Sequence, residues 1–404
     1  MASSINASTT TGLVSTADLS GILDLQSNGT TIATVQSTGF SLPTASTINA
    51  ANTFGFKNRI INGGMTIDQR NAGALTNPAV NATYYLDRWY AISGAASKYS
   101  IGQNAGAVTP PAGFINYLGC TSLSAYTVGA SEQFVVRQAI EGLNIADLAW
   151  GTASAKTITI SAQVRSSLTG TFGGSIYNNA GDRSYPFTYS ISTANTWTSI
   201  SVTIAGDTSG TWLTTNGVGI YVGFSIGAGA TVSGTAGSWS STLYRSATGG
   251  VSVVGTSGAT FYITGVQLEV GSQATSFDFR DYGRELILCQ RYYESNYNPG
   301  NYPSASSSSL EGTTTAIMVG SGVSGMAAAN SFRVYKRTAP TMTMYSYNGT
   351  AGKTSILDNA TTYGTGIVVI SRTGNGGFGS GGDPGAGLTA GVNYWFGYTA
   401  NAEL

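Results

Sequence analysis

The sequence predicts an all-β protein: an N-terminal β-hairpin arm, a jelly-roll β-sandwich, one helix and a C-terminal β domain. Three observations carry that reading. Short apolar-polar alternations broken by Gly, Asn and Ser recur along most of the chain, and a helical period occurs in only one place. Glycine accounts for 55 of 404 residues, while charged side chains make up only 9%. Aromatic residues (23 Tyr, 14 Phe and 6 Trp) are spread along nearly the whole length, as suits half-buried pleated surfaces. A chain this long is expected to form roughly two or three domains rather than one core.

Residues 1–57 read as a separate arm. Gly21-Ile22-Leu23-Asp24-Leu25-Gln26 and Thr30-Thr31-Ile32-Ala33-Thr34-Val35-Gln36 alternate like two strands, and Ser27-Asn28-Gly29 joins them with a hairpin turn. A lone hairpin is marginal in water, so it needs a partner. The Ser/Thr/Ala/Asn stretches at 3–12 and 41–53 lack apolar periodicity and are expected to order only against another chain.

Residues 58–276 form the expected β-sandwich or jelly roll, with strands such as Thr157-Ile158-Thr159-Ile160-Ser161-Ala162-Gln163-Val164, Ser199-Ile200-Ser201-Val202-Thr203-Ile204 and the late Phe261-Tyr262-Ile263-Thr264-Gly265-Val266-Gln267-Leu268-Glu269-Val270. Charge then concentrates over 277–297. Phe279, Tyr282, Leu286, Cys289 and Tyr293 recur at spacings of 3, 4, 3 and 4, a helical stripe that packs either on its own core or on symmetry mates. Asp281 fits an N-cap, with Glu285 early and Arg291 late to suit the helix dipole. Residues 298–404 form a last β domain, entered through a Pro- and Ser-rich linker at 298–309. Its strands are expected near Thr341-Met342-Thr343-Met344-Tyr345, Gly366-Ile367-Val368-Val369-Ile370 and Tyr394-Trp395-Phe396-Gly397-Tyr398.

Composition excludes several functions. With no histidine, Ser-His-Asp, Cys-His and His-metal constellations cannot be built, and the chain is expected not to be an enzyme. Lys+Arg and Asp+Glu balance at 18 each without a basic cluster, which argues against nucleic acid. Residues 208–244 carry no charge, but Gly, Ser and Thr interrupt every apolar run, so no membrane insertion is expected. The N-terminus lacks the basic and apolar regions of a signal peptide, and export by the general route is not expected. Cys120 and Cys289 read as buried free thiols. The composition is that of a β-rich extracellular or virion-surface protein.

Two loops stand out as candidate ligand sites. Tyr177-Asn178-Asn179-Ala180-Gly181-Asp182-Arg183-Ser184-Tyr185 brings Asn178, Asn179, an Asp182-Arg183 pair and Tyr185 together, residue types that hydrogen-bond and stack on sugars, or make an ordinary turn with a surface ion pair. Trp197, Trp212 and Trp239 are expected in the core rather than as platforms. Asp182 and Asp207 have no context supporting a glycosidase pair. The second loop is Gly374-Asn375-Gly376-Gly377-Phe378-Gly379, which satisfies a dinucleotide-binding spacing. The helix it would need is absent, because Ser380-Gly381-Gly382-Asp383-Pro384-Gly385 cannot start one, so no cofactor or metal is expected. It reads instead as a hairpin loop, or as an exposed contact loop through Gly374, Gly376, Gly377, Phe378 and Gly379.

Asn58-Arg59-Ile60-Ile61-Asn62-Gly63-Gly64-Met65, then Asp87-Arg88-Trp89, then Gly265-Val266-Gln267-Leu268-Glu269-Val270-Gly271, then the 277–293 helix ending Leu288-Cys289-Gln290-Arg291-Tyr292-Tyr293, together resemble tail-fibre-like, receptor-binding virion proteins of tailed bacteriophages and their prophage relatives. Order and spacing match over roughly 58–294. The hairpin in the arm looks like the particle-proximal part of such fibres, and the C-terminal 110 residues match their receptor-facing tips only generically. The resemblance implies a jelly roll like that of carbohydrate-binding modules, a homotrimer, and a place on the virion surface after assembly in the host cytoplasm. It further implies attachment to other phage structural proteins through residues 1–57 and contact with a host-surface glycan. A non-receptor structural or decorating fibre and a polysaccharide-degrading tailspike are the alternatives.

Overall fold

The structure is a computed structural model that describes residues 3–8, 12–16, 22–27, 29–36, 39–41, 56–81, 83–298, 300–302, 314–318, 326–346, 349–352, 355–356, 368–371, 373–382 and 393–404. The expected disposition of 42–53, of most of the 298–309 linker, and of 366–367 lies outside the described residues. The chain divides into two compact units, residues 1–53 and 54–404.

The first unit is a five-stranded sheet of β1 (Ser3–Ser8), β2 (Gly12–Thr16), β3 (Leu23–Ser27), β4 (Thr30–Gln36) and β5 (Gly39–Ser41), in the order β2-β1-β3-β4-β5. Ser27 pairs with Thr30, the register a two-residue connection imposes on a hairpin. The polar stretch at 3–12, expected to need another chain, contributes a strand that pairs with both β2 and β3 of its own chain. Backbone hydrogen bonds need no apolar period, which is why the sequence pattern missed it.

The second unit is built on a jelly-roll-like sandwich. Its strands are β6 (Thr83–Leu86), β7 (Trp89–Ser93), β8 (Tyr99–Gln103), β9 (Leu118–Ser122), β10 (Gln133–Glu141), β11 (Ile158–Ser166), β12 (Gly170–Tyr177), β13 (Ser184–Ile191), β14 (Thr198–Ile204), β15 (Val218–Ala228), the short pair β16 (Ser233–Gly234) and β17 (Ser246–Ala247), and β18 (Thr260–Val270). One antiparallel sheet runs β13-β12-β15-β10-β7-β6 and the other β14-β11-β18-β9-β8. Phe134, Val136 and Ile140 of β10 and Ile220, Val222 and Phe224 of β15 share one core with Ile158, Ile160 and Val164 of β11. Each such side chain contributes roughly 1.5–3 kcal/mol when fully buried. In β18 the core residues change parity, from Phe261 and Ile263 to Val266 and Leu268. A register shift against β11 accompanies the change, and Gly265 takes it at φ 60°, where a Cβ would crowd the chain.

Helix α1 (Tyr282–Gln290) is shorter than the 277–293 span the sequence suggests. It starts where expected: the Asp281 side chain accepts from Arg284 N at 2.9 Å, and Glu285 lies in the first turn. The remaining strands are β19 (Tyr293–Ser295), β20 (Thr314–Met318), β21 (Met326–Ser331), β22 (Thr341–Tyr345), β23 (Ser355–Ile356), β24 (Val368–Ser371), β25 (Gly377–Gly382) and β26 (Asn393–Asn401). β26 is the hub, pairing with β19, β20, β22 and β23. The boundary drawn at residue 297 is therefore crossed by strand pairing, because β19 from the connector is part of the C-terminal sheet.

Buried charge stitches that sheet to the sandwich. Glu403 pairs with Arg70 at 2.7 Å and with Arg88. Arg88 lies over the Tyr292 ring at 3.6 Å and Arg70 over the Tyr293 ring at 3.7 Å. Arg88 occupies the β6–β7 turn at φ 68°, a left-handed conformation costing roughly 1–2 kcal/mol, and its ring and ion contacts offset that cost. Arg337 donates to the carbonyls of Ala402 (2.7 Å) and Glu403 (2.6 Å). Glu141 accepts from Arg291 at 2.6 Å and from the Tyr292 hydroxyl at 2.6 Å, and its carboxyl is held below the usual range by these partners, against the opposing effect of burial. Lys336 and Glu294, both inaccessible, pair at 2.5 Å. The ammonium also donates to Gln290 O and Val334 O, so its three donors are all used, and burial draws its pKa down.

Two expectations follow. Glu294→Gln leaves Lys336 buried without its counter-charge and should destabilise the protein by about 3–5 kcal/mol in urea unfolding. Glu294→Gln with Lys336→Met should cost less than the single change, and a double mutant at least as unstable as E294Q would count against the pair. Asp87, inaccessible and accepting two 2.7 Å bonds from Gln69, has its pKa pushed up to about 7 by burial, which Arg70 only partly opposes. Between pH 4 and 7 the folded form then holds a proton that the unfolded form has lost, so this group removes about 1.4 kcal/mol of stability per unit of rising pH. Asp87→Asn should flatten the fall in unfolding free energy over that window, whereas equal slopes in the two proteins would contradict it.

Candidate functional site

The loop 178–183 connects β12 to β13 and spends its polar atoms on its own shape. Asn178, 1% exposed, accepts at Oδ1 from the amides of Gly181 (3.0 Å), Asp182 (3.2 Å) and Arg183 (3.2 Å). Its Nδ2 donates to Asp182 Oδ1 at 2.6 Å and Thr211 O at 3.0 Å. The expected Asp182-Arg183 pair is replaced by a bidentate one: Arg183 Nε and Nη2 reach Asp207 at 2.7 and 2.8 Å. Asp207 is thereby engaged by a guanidinium and makes no free acid beside Asp182. Tyr185 sits edge-on to Trp239 at 5.2 Å, within a cluster where Trp150, Trp212 and Trp239 lie 4.7–5.5 Å apart. Trp212 is buried and Trp239 half-buried, as expected of core rings, and in the loop Asn179, Ala180 and Asp182 remain exposed.

The glycine-rich segment is part loop and part strand. Gly374 and Gly376 lie in the connection between β24 and β25, where Gly374 N donates to Gly377 O at 2.9 Å. From Gly377 the chain is β25, paired with β21 on one side and β24 on the other. A Cβ at Gly377 would lie 2.4 Å from Asn330 O, so the absent side chain serves close strand packing. Phe378, expected as an exposed contact, is 3% exposed and packs on Phe332 (5.6 Å) and Tyr398 (5.0 Å). Gly379 pairs with Ala329 and Ser371. Residues 383–387 lie outside the described residues.

The five-residue stripe is not one face. Cys289 and Tyr293 are buried within the chain, and Leu286 is half-buried against the cluster of Ile61, Ile67, Cys289 and Tyr292. Tyr293 already belongs to β19. Phe279 precedes the helix and is 62% exposed, and Tyr282 is 50% exposed. These two open onto a cleft of about 290 Å³, whose floor is Gly63 and Gly64 and whose aromatic wall is Phe114, Phe277 and Phe279, with centroids 4.9–5.2 Å apart. Ile115, 74% exposed, stands at the rim. Asp278 and Arg280 supply charge, although Arg280 is committed to Glu285 (3.3 Å), Ile60 O and Asn58 O. Apolar walls with a few polar groups at the edge are what small-molecule and sugar sites share. Sequence reading missed Phe114 and Ile115 because they come from a distant loop. A run of exposed aromatics beside glycines was the only signal available.

Among the described residues no group of three or more Cys, Asp or Glu side chains is placed to hold a metal ion. No helix of the described residues is long and apolar enough to cross a membrane.

No family model matches the chain, and no curated protein matches it. Among solved structures it is similar to the enzymatically active domain of tailspike protein 4 of bacteriophage CBA120, at 11% identity and TM-score 0.27, covering 53% of this chain and 21% of that one. The chain thus spans about a fifth of that tailspike domain. A CBM4 structure matches at 14% identity and TM-score 0.25, over 52% of this chain and 97% of the other. A family 11 carbohydrate-binding module from Clostridium thermocellum, in complex with a mixed-linked tetrasaccharide, matches at 14% and 0.24, over 49% and 100%. These likenesses are distant, and the reading of the cleft rests on its own residues.

The two aromatic positions should separate cleanly in stability. Phe378→Ala is expected to cost about 3–5 kcal/mol by opening a cavity, and Phe279→Ala to stay within roughly 0.5 kcal/mol because its ring is largely in solvent. Comparable losses for both in thermal unfolding would place Phe279 in the core.

Proposed function

We propose that this chain is a non-enzymatic adhesion protein of a bacteriophage virion fibre, contacting a host-surface glycan. The observation that supports it best is the open aromatic cleft at Phe114, Phe277, Phe279 and Tyr282, where a pyranose can lay its C–H face on a ring and turn hydroxyls toward Asp278. The resemblance of residues 58–294 to tail-fibre-like proteins supports the setting. In this reading the arm, residues 1–57, docks on other virion proteins, and the chain assembles as a homotrimer on the virion surface. Each stacked ring contributes about 0.5–1.5 kcal/mol beyond area, so single sites are weak, and three sites per fibre raise effective concentration without new contacts. A depolymerase acting through Asp182 and Asp207 is disfavoured because Asp207 is engaged by Arg183 and is not free to serve as one of the two carboxylates.

A glycan array tests this directly. The intact chain should bind at least one saccharide class, and Phe279→Ala and Tyr282→Ala should each weaken binding about tenfold, or about 1.4 kcal/mol, with unchanged unfolding. No saccharide bound by the intact chain would favour a structural or decorating fibre. Release of reducing ends from a host polysaccharide would favour the tailspike.

A further inference from the structure

The outer face of the six-stranded sheet carries a second site, independent of the cleft. Along β10, Phe134, Val136 and Ile140 point into the core, so Arg137 points outward. Tyr90 pairs with Arg137 in register, and Tyr221 pairs with Tyr177 on the neighbouring strands. The Arg137 guanidinium lies over the rings of Tyr90 (4.3 Å) and Tyr221 (4.1 Å). Tyr177 and Tyr221 stack at 4.9 Å, and Arg245, from the segment leading into β17, covers Tyr177 at 4.2 Å.

Charge sets this cluster apart. Arg59, Arg70, Arg88, Arg183, Arg280 and Arg291 each have a carboxylate partner. Arg137 and Arg245, like Arg165, Arg284, Arg333 and Arg337, have none among the described residues, and of these six only Arg137 and Arg245 bury a guanidinium nitrogen without a hydrogen-bond partner. Arg137 is only 7% exposed, yet its Nη atoms meet nothing but the hydroxyls of Tyr177 and Tyr90, and its Nε has no partner. Arg245 Nη1 is likewise buried and unpaired. Tyr90 and Tyr177 accept from Arg137, so each hydroxyl keeps its own proton to donate. Both guanidiniums thus lie by the Tyr177 ring, Arg137 at 5.6 Å and Arg245 at 4.2 Å from its centroid, with no carboxylate paired to either among the described residues. Buried cationic donors left in that state call for an anion. Tyr90, Tyr221 and Arg245 retain partial exposure, which leaves a way in.

We infer that this face binds an oxyanion, either a carboxylate borne by an acidic sugar or a free inorganic anion, between Arg137 and Arg245. The test titrates the full chain, at constant ionic strength, with an oligogalacturonate, its methyl ester and inorganic phosphate. Calorimetry should show oligogalacturonate or phosphate binding while the ester does not. Arg245→Gln should weaken that binding at least tenfold, and Tyr90→Phe, which removes one donor at constant shape, severalfold. Tighter oligogalacturonate than phosphate assigns the sugar-borne carboxylate, and the reverse assigns the free anion, each supporting the site. Absence of binding by either anion at millimolar concentration overturns it, as does equal binding of acid and ester or an Arg245→Gln variant indistinguishable from the parent. Phe279→Ala should leave this binding intact, so failure here is separable from failure at the cleft.

Discussion

One buried carboxylate, Glu403, governs how residues 54–404 close. It lies two residues beyond the end of β26, and it neutralises two guanidiniums that come from before β6 and from the β6–β7 turn. Those guanidiniums in turn lie on Tyr292 and Tyr293, which follow the helix. Four separate stretches of chain thus meet at one charge. Burying ions is costly, and a two-to-one arrangement is stable only if every member stays in place. The same rule explains why Lys336 and Glu294 are so fully hydrogen-bonded. Polar seams of this kind fix one arrangement of sheet and sandwich, where apolar contact alone would tolerate several.

The rule also sorts the surface. Polar groups at the 178–183 loop are satisfied internally, and Phe378 is consumed by packing, so neither offers much to a partner. What is left over is apolar exposure at the Phe279 cleft and unbalanced positive charge at Arg137 and Arg245. These are complementary deficits, one of cover and one of counter-charge. They lie on features built from rigid strands and a short connection.

Much of the fold was legible because its causes are local. Alternation located β11, β14, β18 and β22 to within a residue or two, Asn-Gly marked the hairpin of the arm, and Asp281 marked the helix start. The failures have a common origin in distance along the chain. Asp207 outcompetes Asp182 for Arg183 because folding presents a bidentate geometry that neighbours in sequence cannot reach. A segment of alternating glycines reads as a loop, yet two flanking strands supply its hydrogen bonds and Phe378 its anchor. The 3-4-3-4 spacing was real, but the chain leaves the helix at both ends of it, so Phe279 and Tyr293 never share a face. Of the cleft, only the Phe279 and Tyr282 side could be read from sequence.

The two cysteines have a consequence for where the chain can work. Cys120 and Cys289 are both buried and unbridged, and burial pushes both thiols far above their ordinary pKa. Exchange needs a thiolate and an approach path, and the folded chain supplies neither. Its covalent structure is therefore indifferent to redox poise: no crosslink must form outside a cell and none can be lost inside one. Such a chain can mature in reducing surroundings and be carried into oxidising ones with the same shape.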